Sequence, residues 1–170
     1  MSLLIRLIDR LSALAGMAGS LVLPLLILTI LANVVLRYVF DIGMIELEEL
    51  QWHLNAIAVM LSLAWAYQEG DHVRVDMFHA KMRPRARAVV EILGILFLFW
   101  PFTALVAWNA WTIFGYSWDL KEGSPMPSGL PARYVIKGVM ALGLSLLALQ
   151  GLAVLLRAVR QLRTGWQEIR

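Results

Sequence analysis

Four stretches of this chain carry no formal charge: residues 11–36, 50–68, 92–118 and 138–156. They hold 26, 19, 27 and 19 residues. At ~1.5 Å of rise per residue, the shortest spans about 28 Å as a helix, close to the ~30 Å hydrocarbon core of a bilayer. Inside that core every backbone N–H and C=O must be bonded within the protein, and a helix does so within one segment. The expected fold is therefore an all-α membrane protein with four transmembrane helices, a single domain over residues 1–170 whose spans are the four runs. Composition agrees, since only 16% of residues are charged, against about 25% in soluble domains.

The first run does not read as a cleaved signal peptide. Its small residues (Ala13, Ala15, Gly16, Ala18, Gly19) precede its most apolar part, whereas a cleavage site follows one. It is an uncleaved first span, with Pro24 as a point of kinking. The third run would measure about 40 Å as a helix, so it must tilt or emerge from the hydrocarbon. Its far end carries Trp108, Trp111, Phe114, Tyr116 and Trp118, an aromatic belt of the kind that sits at a membrane surface. A loop with Gly123, Pro125, Pro127, Gly129 and Pro131 follows. In the fourth run Ala141 and Ser145 form a small-xxx-small face for close helix packing.

Lys and Arg counts set the orientation. The N-terminal lead has two, the connection between the second and third spans five, and the tail four, against one and three in the other two connections. Eleven against four places both termini and the central connection in the cytoplasm. The basic residues are split between apolar runs and make no continuous patch, so a pI of 9.6 does not indicate nucleic acid. Within the central connection Val75, Phe78 and Met82 fall at helical steps, and Asp76 can cap a short interfacial helix on the membrane surface. Anionic lipid headgroups would favour the neighbouring Arg83, Arg85 and Arg87.

Polar residues recur at helical spacing on two adjacent spans. Thr29, Asn33 and Arg37 are four apart at each step, and Glu48, Gln51, Asn55 and Ser62 share a face of the second span. Two readings stand. Either these stripes hydrogen-bond between helices and hold the bundle, or they form a docking seam for a partner subunit. Arg37 and the Glu48–Glu49 pair lie at the ends of neighbouring spans joined by a short connection, so they are expected to meet, because an unpaired charge near lipid is costly.

Most other chemistry is missing. None of the 12 acids falls in the middle of a run, where ion-coupled pumps keep a carboxylate. There is no cysteine, which removes thiolate metal sites and thiol redox chemistry. His53 lies at a span end, and His72 and His79 lie in a connection, not in a haem-ligating arrangement. No phosphate-binding loop or nucleophile elbow is present. The residues by themselves imply an accessory membrane subunit with no catalytic, cofactor or metal site.

Four segments, in order, carry a further resemblance. The first span ends Asn33-Val34-Val35-Leu36-Arg37-Tyr38-Val39-Phe40, and the second begins Glu48-Glu49-Leu50. Glu69-Gly70-Asp71-His72-Val73-Arg74-Val75-Asp76 follows, and then Ser124-Pro125 through Leu130-Pro131 leads into Gly143 to Gln150-Gly151. This series resembles the small, DctQ-type membrane subunit of tripartite ATP-independent periplasmic (TRAP) transporters, over nearly the whole chain. The residue before the acid pair departs from the family pattern, being Leu47.

The resemblance implies a subunit that packs against the scaffold of a large multi-span permease. Its other implied partner is a periplasmic binding protein that captures a small organic acid for sodium-coupled uptake. His72 and Asp76 then either orient the cytoplasmic helix or touch a partner. A membrane anchor for a redox enzyme and a small autonomous exporter or channel are the competing classes.

Overall fold

The computed structural model describes residues 2–70 and 84–164, and among these it contains helices and no strand. The expected interfacial helix over residues 76–82, with His72 and Asp76, lies outside the described residues. Helix α1 runs Ser2–Val39 without interruption at Pro24. Helix α2, Ile45–Glu69, begins with Glu46 and Glu48 in its first turn, where free N–H groups favour negative charge. Gly70 ends it in a left-handed conformation, φ 82°. Helix α3 is Pro84–Gly94, a π-helical turn covers Ile95–Phe99, and α4 continues over Trp100–Asp119. Helix α5 is Tyr134–Thr164.

The π-helical turn has a local cause. Pro101 has no N–H to donate, and in a regular helix its ring would press on the Phe97 carbonyl. The widened turn instead lets the Trp100 N–H donate to the Ile95 carbonyl. It also places Phe99 parallel to the Tyr67 ring of α2, with centroids 4.8 Å apart.

Among the described residues, three stretches are long and apolar enough to cross a membrane: Leu3–Val39, Ala88–Asp119 and Tyr134–Arg160, with mean hydropathies of 2.4, 2.2 and 2.3. Helix α2 has the length, at 25 residues, but Gln51, His53 and Asn55 in its first half dilute its apolar character.

The helices stand in a row in the order α1, α2, α5, α4. Helix α1 is antiparallel to α2: Arg37 meets Glu48 near one end, Gly19 faces Ser62 and Ala58, and Gly16 faces Trp65 near the other. Helix α5 runs parallel to α2, and at Gly143 it comes so close that a side chain would strike the Met60 backbone. Helix α4 runs antiparallel to α5, joined where the Trp111 indole N–H donates to Ser145 Oγ at 2.9 Å and where Trp118 meets Tyr134 edge-on. Ala141 is fully buried and accepts from Ser145 Oγ at its carbonyl, so the small-residue face is used for packing. The N-terminal turns of α1 lie directly against α5, with Ile5 and Ile8 against Ala153 and Leu156. The α1–α2 connection and the α4–α5 loop therefore lie at one end of the row. The described chain ends lie at the other.

Candidate functional site

The loop end of the row holds the first of two polar clusters. Arg37 in the last turn of α1 donates to Glu48 Oε1 at 2.8 Å, the pairing expected from the short connection. Glu49 goes elsewhere. One step along a helix rotates a side chain by about 100°, so Glu49 turns away from α1 and is buried beneath the α4–α5 loop. Ser124 Oγ donates to Glu49 Oε1, and the Leu130 N–H donates to Oε2 at 2.7 Å. The loop closes on itself around this carboxylate, because the Ser124 N–H donates to the Leu130 carbonyl and the Met126 N–H to Ser124 Oγ. Gly129 is required here, since a side chain would collide with Ser124 and Glu49.

Glu49 lies just outside the uncharged run of α2. The Ser124 hydroxyl and the Leu130 N–H hold its carboxyl below the usual range, His53 and Arg133 add a little, and burial opposes them. His53 Nδ1 lies 2.7 Å from the Glu49 carbonyl. A carbonyl can only accept, so Nδ1 donates in this contact. Beside these groups lies a cavity of ≈ 190 Å³, lined by Glu49, Trp52, His53, Ser124, Met126 and Arg133 among others. Its walls are mostly apolar, and the Glu49 carboxylate and Ser124 hydroxyl that line it are already bonded to each other and to the loop backbone.

A second link ties the same loop to α5. Lys137 Nζ donates to Ser117 Oγ at 2.7 Å and to Glu122, and Ser117 Oγ donates to Glu122 Oε2 at 2.6 Å. Lys137 and Ser117 hold the Glu122 carboxyl low. Lys121 lies over the Trp118 ring, 4.1 Å from its centroid. Glu49 of α2 and Lys137 of α5 thus clamp the loop from its two sides.

The second cluster lies at the opposite end. Ser12 Oγ donates to Gln150 Oε1 at 2.8 Å, and both side chains are fully buried. Gln150 Nε2 donates to Asp9 Oδ1 at 3.0 Å, and Arg157 donates to the same oxygen at 2.6 Å. This clasp fixes α1 to α5, a contact that the sequence pattern does not indicate. The available signal is Gln150, a large polar side chain in an apolar run, but nothing in linear order ties it to Asp9.

The other expected residues do not converge. Thr29 is buried and donates to the Leu25 carbonyl of its own helix. Asn33 is buried with its Oδ1 unpartnered, and Gln51 Nε2 is buried and unpartnered as well. Ser62 faces Gly19 of α1, whereas Asn55 points outward and is exposed. The four residues that share a face of α2 in sequence are therefore divided between the α1 contact and the open surface. Among the described residues no three His, Asp or Glu side chains come together as metal ligands.

Helices of this length and polarity, locked by polar clasps at their ends, define a multi-pass membrane protein. The groups in those clasps are occupied in holding the chain together. Residues 26–161 match the family described as "Tripartite ATP-independent periplasmic transporters, DctQ component". The chain belongs to this family: it is the small membrane subunit of a TRAP transporter and not an enzyme. No curated protein and no solved structure matches it.

Proposed function

We propose that this subunit crosses the bacterial inner membrane four times, with both termini cytoplasmic, and packs against the scaffold of the large permease subunit. The assembly takes up a small organic acid that a periplasmic binding protein delivers, with sodium as the coupling ion. Family membership supports the tripartite assembly. The resemblance noted from sequence supplies the coupling ion and the substrate class. Helix α2 supports the fourth crossing, because it lies beside α1 from Arg37 down to Gly16 and beside α5 at Gly143. A helix flanked over that depth by two membrane-crossing helices occupies the same layer. The excess of Lys and Arg at the end that holds the termini supports the orientation.

One observation carries the partner. The helices form a row and not a closed bundle, and Asn55 of α2 faces outward from it without a hydrogen bond. A polar side chain in a crossing helix is best placed against protein. Asn55, with its exposed neighbours Trp52 and Val59, marks the face that meets the large subunit. Asn55→Trp should prevent co-purification with that subunit and abolish uptake, while capture of substrate by the soluble binding protein is unchanged. Normal assembly without transport would show a mechanistic role and end the purely structural assignment.

A further inference from the structure

Helix α4, at the end of the row, carries an outward face of its own, and α5 stands between it and the Asn55 face of α2. Phe102, Leu105, Asn109, Thr112 and Tyr116 follow one another at steps of three and four, so they form one stripe with a 3.5-residue period. All five are exposed, Phe102, Leu105 and Tyr116 by 67%, 64% and 69%. The buried Thr103, Ala107 and Ala110 lie on the other side of the helix, toward α5.

Depth makes one of the five costly. Asn109 precedes Asp119, the end of α4, by ten residues, about 15 Å along the helix. That is half the ~30 Å hydrocarbon thickness. The amide therefore lies near the middle of the bilayer, where a polar group without a partner is least tolerated. The Thr112 hydroxyl donates to the Trp108 carbonyl at 3.0 Å and so spends its one hydrogen within its own helix. Asn109 spends only one of its two N–H groups that way, donating from Nδ2 to the Leu105 carbonyl at 2.8 Å. Its other N–H and its Oδ1 have no partner among the described residues.

We infer that this stripe pairs with the same stripe of a second copy of the chain, the two Asn109 amides exchanging hydrogen bonds. What remains on Asn109 is one donor and one acceptor, a set of partial charges complementary to itself. Two copies inserted in the same direction are related by a two-fold axis along the membrane normal. Their α4 helices are then parallel, and each residue of the stripe meets its own counterpart at the same depth. A 3.5-residue period keeps such a seam together along a left-handed crossing, and a single Asn within it fixes the register and the number of helices. A helix of the large subunit would need its own polar group at this depth, whereas a second copy brings one by symmetry. The inference rests on the crossing of the membrane by α4 and not on contact between Asn55 and the large subunit.

Photo-cross-linking in cells that express the whole transporter tests it. A benzophenone amino acid in place of Leu105 should give an adduct of twice the subunit's mass. The same group in place of Leu28, 62% exposed on α1, should not. An adduct of Leu105 with the large subunit, or no protein adduct there, would overturn the pairing. The affinity is read by energy transfer between labelled copies of the purified chain in detergent, followed on dilution. Asn109→Leu should weaken association about tenfold, Asn109→Gln much less, and Thr112→Val little. An unchanged Asn109→Leu, or an equal loss in Thr112→Val, would overturn the exchange between the Asn109 amides. The Leu105 cross-link leaves Asn109 in place, so it decides the pairing even where an Asn109 variant misfolds. Cross-linking from Trp52 reads the large-subunit face separately, so failure of one assignment is distinguished from failure of the other.

Discussion

Adjacent carboxylates in this chain have separate fates. Glu48 is partly exposed and pairs with Arg37 on the surface, where screening leaves such a pair worth little. Glu49 is buried and accepts a hydroxyl and a backbone N–H from the α4–α5 loop. Glu49→Gln keeps an acceptor but loses the charge, and Glu49→Ala leaves the Leu130 N–H unpaired. Limited proteolysis across residues 120–133 should therefore be several-fold faster in Glu49→Ala, less so in Glu49→Gln, and unchanged in Glu48→Gln. The pH dependence has a definite sign. The Glu49 carboxyl is held below its ordinary value of 4.5, so its contribution to loop docking is complete above that pH. It is lost only as pH falls further, through the depressed folded value. Glu122, also held low, acts in the same direction. Loop protection should accordingly be flat from pH 8 down to the ordinary carboxylate value of 4.5 and be lost only below it; loss well above that value would remove these two carboxylates as its cause.

At the scale of elements, backbone proximity decides how α2 is held between its neighbours. Gly143 lets α5 approach the Met60 backbone, and backbone cannot move aside as a side chain can. Gly143→Leu should cost about 1–3 kcal/mol or more through overpacking, read as a lower thermal midpoint and as loss of a cross-link between engineered cysteines on α2 and α5. The Ser12–Gln150–Asp9–Arg157 clasp is a different kind of contact. Interhelical hydrogen bonds in membranes average about 0.6 kcal/mol. Gln150→Leu, which removes two of them, should lower stability by only about 1–2 kcal/mol. A larger loss would mean that Asp9 and Arg157 depend on Gln150 for their geometry. The π-helical turn follows from Pro101, which is plain in the sequence, but its effect, the stacking of Phe99 on Tyr67, depends on which helix lies opposite.

At the scale of the molecule, the row of helices has a loop end and a terminal end, and the proposed topology can be checked directly. A cysteine at Met126 should react with a membrane-impermeant thiol reagent added outside intact cells, and one at Ser2 only after lysis. Labelling of both from outside would refute the four-crossing arrangement. Much of the architecture was legible in linear order, because bilayer thickness and the need to satisfy every backbone group act on each segment by itself. The helical class and the pairing of Arg37 with an acid at the next helix start follow from such local rules. The tertiary structure alone decided that Glu49 faces the loop while Glu48 faces Arg37, that Gln150 reaches Asp9 across 141 positions, and that α1 and α4 stand at opposite ends of a row. Those outcomes depend on helix rotation and neighbour order. Close packing and a few weak polar contacts set both, and hydrophobic pattern, which is satisfied equally by lipid and by protein, does not encode them.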